Sequence, residues 1–204
     1  NINISDNLLQ NSSNFGINSA SYDAWNITVS DNTFKELPST YAVYFRFNNN
    51  GYRDNWNITH NQFYNTSYGI YSYGADYSYI TNNIFTDISG YGIRNEGDYN
   101  VIEYNNLSNW GSSSAIYITG DTGNASHNRI ENGYTGIWGD GLGTEPCYFE
   151  HNVIANMSSN GMVFKGYTQN LVVRYNNITN ISSTGTTEGL YIGSAYVLFK
   201  NNTF

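Results

Sequence analysis

One six-residue pattern returns along the whole chain: an apolar residue, two polar residues, Asn, any residue, an apolar residue. It reads "ISDNLL", "VSDNTF", "ITHNQF", "ITNNIF", "IEYNNL", "ASHNRI", "FEHNVI", "VRYNNI" and "FKNNTF". The anchor asparagines are Asn7, Asn32, Asn61, Asn83, Asn105, Asn128, Asn152, Asn176 and Asn202, separated by 25, 29, 22, 22, 23, 24, 24 and 26 residues. A second element falls between successive anchors: Gly or Ala, an apolar residue, then often an aromatic. It begins at Gly16, Ala42, Gly69, Gly92, Ala115, Gly136, Gly161 and Gly189. Units of 22–29 residues cannot bury an apolar face alone; they do so by stacking on their neighbours.

Each unit holds short runs of period two separated by turn residues, which predicts two or three short strands. The positions three before and two after the anchor are apolar nearly throughout. The second runs Leu9, Phe34, Phe63, Phe85, Leu107, Ile130, Ile154, Ile178, Phe204. Stacked, these side chains form a ladder inside a cylinder. The expected fold is all-β, a single parallel β-helix over 1–204, with about eight coils of 22–29 residues. Asn supplies 34 of the 204 residues. Stacked Asn side chains bond from coil to coil, and Asn tolerates left-handed backbone at bends, so most of this excess is assigned to structure, as ladders at the turns. A second polar column, Asn11, Glu36, Asn65, Asp87, Asn109, Asn132, Asn156 and Asn180, lies four residues past the anchors. Cys147, five before its anchor, shares the inward parity and is expected as a buried thiol; a lone cysteine excludes an internal disulfide.

The whole-chain repeat resembles the pectate-lyase-like superfamily, in particular the carbohydrate-binding and sugar-hydrolase repeat proteins that include NosD-like surface and periplasmic proteins. The resemblance implies right-handed coiling, in agreement with parallel crossover handedness. It implies architecture far more than function, since such solenoids host lyases, hydrolases, epimerases, adhesins and structural proteins. The diagnostic acidic clusters of polygalacturonases and pectate lyases are absent, which tilts the expectation away from catalysis.

Four groups of residues could carry function. Tyr44, Tyr71, Tyr117, Trp138 and Tyr191, with Arg94 among them, follow the Gly-apolar step and point outward by parity. Exposed rings stack on sugar faces or bury against another protein. An acidic patch of Glu96, Asp98, Asp121 and Asp140 beside Arg94 is the catalytic alternative. Its carboxylates could divide acid and base roles on a glycoside, and Asp98 with Asp121 could hold Ca²⁺. His127 and His151 precede consecutive anchors, with Tyr104 and Tyr175 beyond them. Two imidazoles could ligate a transition metal, and the NosD resemblance points to copper, but no third ligand is assigned. Lastly, eleven Asn-X-Ser/Thr sequons occur. Asn3, Asn57 and Asn124 lie one step before an inward residue and are the expected glycan acceptors; Asn11, Asn65, Asn156 and Asn180 are expected to be protected in the polar column.

The net charge is −8 with no basic cluster, which argues against a nucleic-acid partner. No apolar run approaches the roughly 18–20 residues of a helical membrane span. The leading expectation is a non-catalytic extracellular or cell-surface module of a filament, sheath or surface layer, N-glycosylated. It would self-associate or meet neighbouring protein at its open end coils, as a segment of a longer chain or a polymerising subunit. The alternative is a polysaccharide-binding or polysaccharide-cleaving protein.

Overall fold

The computed structural model describes residues 1–19, 25–46, 54–166, 169–182, 188–193 and 196–204, with the side chains of residues 39 and 40 left aside. Among these residues there is no helix. The chain winds as a parallel β-solenoid. One sheet stacks nine short strands in repeat order: Ile2–Ser5, Ile27–Ser30, Asn57–Thr59, Tyr79–Thr81, Val101–Glu103, Asn124–Ser126, Cys147–Glu150, Leu171–Arg174 and Val197–Lys200. Its nine rungs correspond to the nine anchors, with eight coil-to-coil steps between them. The rest of each coil belongs to a second, twelve-stranded sheet that bends around the other sides. Four of its strands run through the bend without a break, Thr33–Arg46, Gln62–Tyr73, Arg129–Asp140 and Val153–Lys165.

The predicted core ladder is present. Phe34 pairs with Phe63, Phe63 with Phe85, Phe85 with Leu107, and Leu107 with Ile130 in exact coil register. The first three rings stack at 4.8 and 4.5 Å with their planes nearly parallel. From Phe34 to Ile178 this column is fully buried. The Gly/Ala step is explained by what lies behind it. A Cβ on Gly69 would run into the Gly92 carbonyl oxygen and the Phe85 ring, and one on Gly136 into the Gly161 carbonyl oxygen. The coil therefore passes so close to its neighbour here that only the smallest side chains fit. Cys147 is buried and free, and burial pushes its thiol pKa up.

The anchor asparagines form one continuous ladder, buried from Asn32 to Asn176 and more open at Asn7 and Asn202. Asn105 is typical. Its Nδ2 donates to Ile80 O (2.8 Å) and to Asn128 Oδ1 (3.0 Å), and its backbone N–H donates to the same Oδ1. Its own Oδ1 accepts from the Nδ2 and N–H of Asn83. Every polar atom of the amide is thus satisfied inside the coil.

The bends differ from expectation in one respect. Left-handed backbone belongs to the residue before the anchor, not to the anchor itself. Asp6, Asp31, His60, Asn82, Tyr104, His127, His151, Tyr175 and Asn201 all have φ between 52° and 60°. Two further left-handed corners lie six residues before and four residues after the anchor. The buried amide must stay extended to reach both its neighbour and the strand, so the turn falls one residue earlier. The position four after the anchor is left-handed as the polar column required, but it is exposed. Asn156 Nδ2 donates to Asn132 Oδ1 (2.9 Å) and Asn180 Nδ2 to Asn156 Oδ1 (3.2 Å) at the surface.

Candidate functional site

The last leg of each coil builds one outward face from adjacent rungs. Tyr44 pairs with Tyr71, Tyr71 with Arg94, Arg94 with Tyr117, and Tyr117 with Trp138. The expected aromatic column is therefore real from Tyr44 to Trp138. It does not continue unbroken to Tyr191, because Trp138 pairs with Val163 and Val163 with Tyr191, and Val163 is only 2 % exposed. A second aromatic column, missed in the sequence, lies three residues upstream. Tyr41 and Tyr68 are paired, with ring centroids 4.6 Å apart, and Tyr91 follows at 6.4 Å from Tyr68. The signal was available: Tyr stands three residues before the column residue in three successive repeats. Below Tyr91 the same position is held by Ser114 and Thr135, which pair, and the wall of rings opens.

Arg94 is fixed within this face. Its Nε donates to Glu96 Oε1 at 2.7 Å, and Nη2 pairs with the same oxygen. Its guanidinium lies 4.6 Å from the Tyr71 ring centroid and 5.7 Å from that of Tyr117, both within cation–π range. The Tyr71 hydroxyl donates to Glu96 Oε2 at 2.9 Å. Burial, then the bond to Glu96 and its charge, push the Tyr71 pKa far up; burial and the Asp140 charge raise that of Tyr117. Both phenols stay protonated as donors at neutral pH. Further along, Lys165 Nζ sits 4.6 Å from the Trp138 ring centroid and 5.5 Å from that of Tyr191.

Trp138 stands between two open clefts. One, of about 240 Å³, is lined by Tyr91, Tyr117, Tyr134, Thr135, Trp138 and Asp140 with the serines at 112–114. The other, of about 190 Å³, is lined by Trp138, Asn160, Val163, Lys165, Glu188 and Tyr191. Rings, hydroxyls and charges of both signs converge here, the chemistry of a site that stacks and hydrogen-bonds an extended polar ligand.

The acidic patch does not assemble as one site. Glu96 is committed to Arg94 and Tyr71, and Asp140 lines the first cleft. Asp98 and Asp121 instead belong to a turn ladder that begins at Asp54. Asp76 N–H donates to Asp54 Oδ2 (3.1 Å), Asp98 N–H to Asp76 Oδ1 (2.7 Å), and Asp121 N–H to Asp98 Oδ1 (2.6 Å). All four stand seven residues before consecutive anchors, a regularity that would have revealed Asp54 and Asp76. Burial raises the pKa of Asp54 to about 6, and raises Asp76 and Asp98 as well. The Asp98 carboxylate suggested for Ca²⁺ is thus engaged by backbone amide. His127 and His151 do stack, at 4.8 Å, within a four-ring pile capped by Tyr104 and Tyr175. The imidazoles lie face to face rather than converging on a point. No group of three or more His, Cys, Asp or Glu arranged to hold a metal occurs among the described residues.

A family model described as the right-handed β-helix region matches residues 41–204. This chain belongs to the right-handed β-helix family. No curated protein and no solved structure matches it. The β-helix assignment covers every rung that contributes to the aromatic face, and it accounts for the coiling direction. On the surface of this β-helix the sequons sort differently from expectation. Asn3 and Asn57 are exposed. Asn124 is half-buried, and its Oδ1 accepts the Tyr148 N–H at 3.0 Å. Asn11, Asn65, Asn156 and Asn180, expected to be protected, are exposed because the corner that carries them turns its amides to solvent.

Proposed function

We propose that this chain is a non-catalytic β-helix module that holds a polysaccharide along the face running from Tyr44 to Trp138. The observation that carries this reading is the row Tyr44, Tyr71, Arg94, Tyr117, Trp138 on successive rungs. At about 4.8 Å per rung the row spans roughly 19 Å, room for several sugar units. Aromatic faces accept the C–H faces of sugars, and the flanking hydroxyls and charges meet their O–H groups. The ladders on every side make the row rigid, so little ordering cost opposes binding. The non-catalytic part rests on Glu96: a carboxylate pair that shares acid and base roles needs both members available, and both Glu96 oxygens are engaged. An extracellular or cell-surface setting, with glycans at exposed sequons such as Asn3 and Asn57, belongs to the same proposal. So does display of this face within a filament, sheath or surface layer.

The test is affinity electrophoresis and calorimetry against a panel of neutral and acidic polysaccharides. Binding is expected, and Tyr117→Ala combined with Trp138→Ala should weaken it about tenfold or more. Absence of binding across the panel, or binding indifferent to that double variant, contradicts the reading. Turnover lost in Asp140→Asn or Glu96→Gln overturns its non-catalytic part.

A further inference from the structure

Two residues that line the first cleft carry buried polar atoms without partners. Thr135 is 1 % exposed, and its Oγ1 has no hydrogen-bond partner; nor does the buried Nε1 of Trp138. Both residues line the same cleft, together with Tyr91, Tyr117 and Asp140. A buried donor left unsatisfied carries a real cost, and two on residues that line one cleft mark a place where the missing partners arrive with a ligand. Among the described residues the other buried side-chain atoms without a partner are Ser19 Oγ, Trp110 Nε1 and Arg174 Nε, none on a residue that lines this cleft.

From these observations we infer that the cleft between Tyr117 and Trp138 is a seat for one uncharged hexose unit, selected over a uronate. The inference rests on the polysaccharide reading above and names its substrate class at this point. Trp138 offers an indole N–H, which can only donate, so its partner is an oxygen. Thr135 offers a hydroxyl that donates or accepts. Asp140 accepts, so it pairs with a sugar hydroxyl and repels a sugar carboxylate. The rings of Tyr91, Tyr117 and Trp138 take the apolar face of the pyranose. A neutral sugar meets all four demands, whereas a uronate meets Asp140 with like charge. The cations nearby are otherwise engaged or placed: Arg94, 5.6 and 5.7 Å from the Tyr91 and Tyr117 ring centroids, is paired with Glu96, and Lys165 lines the cleft on the other side of Trp138.

Two substitutions separate this role from a structural one. Thr135→Val keeps the shape and removes the orphan hydroxyl; Trp138→Phe keeps a stacking ring and removes the N–H. Calorimetry would use hexasaccharides of β-1,4-glucan, β-1,4-mannan, β-1,4-galactan and galacturonate on the intact chain. At least one neutral chain is expected to bind and the galacturonate to bind at least tenfold more weakly. Each variant should lose about 3- to 10-fold in affinity for the neutral chain, while Thr135→Val leaves the melting temperature unchanged or higher. Asp140→Asn should narrow the gap between neutral and acidic chains. Preferred binding of galacturonate, or neutral binding untouched by both variants, overturns the neutral seat and leaves the polysaccharide face standing. A Thr135→Val protein that loses stability in step with affinity overturns it equally. Failure of every oligosaccharide and polysaccharide to bind removes the face reading itself.

Discussion

The anchor ladder and the aspartate ladder occupy neighbouring corners of the same coils and use the same geometry. In each, a side-chain oxygen accepts the backbone N–H of the equivalent residue in an adjacent coil. They differ in what else the side chain can do. An amide both donates and accepts, so Asn105 passes its own N–H to Asn128 and receives that of Asn83. A carboxylate only accepts. The carboxylates of Asp54, Asp76 and Asp98 therefore bind backbone but offer nothing to one another, and with Asp121 they line up like charges along the axis. Burial, then the charge of the next aspartate, raise the pKa values of Asp54, Asp76 and Asp98, Asp54 to about 6. A repeat can thus be propagated indefinitely by a self-complementary side chain and only at a cost by an anionic one. This accounts for nine Asn anchors and only four Asp rungs among the repeats.

The sharpest way to break the comparison is to exchange the chemistries. Asn105→Asp removes two donated bonds and places an anion at a site 1 % exposed. The expected loss is about 3–5 kcal/mol, seen as unfolding or a large fall in denaturation midpoint. The reverse exchange, Asp54→Asn, should stabilise at neutral pH. The folded pKa of Asp54 lies at about 6, above its ordinary 3.8. A raised folded pKa means that the folded state holds the proton more tightly. The contribution is fully present below the unfolded pKa near 4 and is lost as pH rises through about 6. The wild-type melting temperature should therefore fall between pH 4 and pH 7. Asp54→Asn should remove much of that fall and add about 1–2 kcal/mol at pH 7, after allowance for solvent screening. The exposed ladder supplies the small end of the scale. Asn156→Asp keeps a residue type that the same column already accepts at Asp87. It should change stability by less than about 0.5 kcal/mol in urea denaturation, because water competes for its bonds.

How much of this was legible depends on how strictly a position repeats. The anchor ladder demands one residue type, since only Asn pairs with itself and with the strand, so its nine positions stood out. The inward column tolerates Phe, Leu and Ile but nothing polar, and was equally clear. The left-handed corner before the anchor was less visible because Asp, His, Asn and Tyr all occupy it, the rings gaining by stacking on one another. The aromatic face was half legible. Tyr44 to Trp138 came from parity, but Val163 shows that parity does not guarantee a ring. Thr135 carried no signal at all: a single Thr in a changing column acquires meaning only when its hydroxyl is found buried and unpartnered. Lys165 was hidden likewise: it stands in register with Asp140, in a column that repeats no residue type.

The indole N–H signals of the tryptophans test the central claim most directly. The chain has four, Trp25, Trp56, Trp110 and Trp138, and Trp138→Phe assigns the last by deletion. A ¹⁵N-labelled sample titrated with the neutral hexasaccharides should show the Trp138 Nε1–H signal moving saturably as it gains its hydrogen-bond partner. The Trp25, Trp56 and Trp110 signals should stay in place. A spectrum in which Trp138 is unmoved by every oligosaccharide, or in which the half-exposed Trp25 shifts alone, would contradict the account.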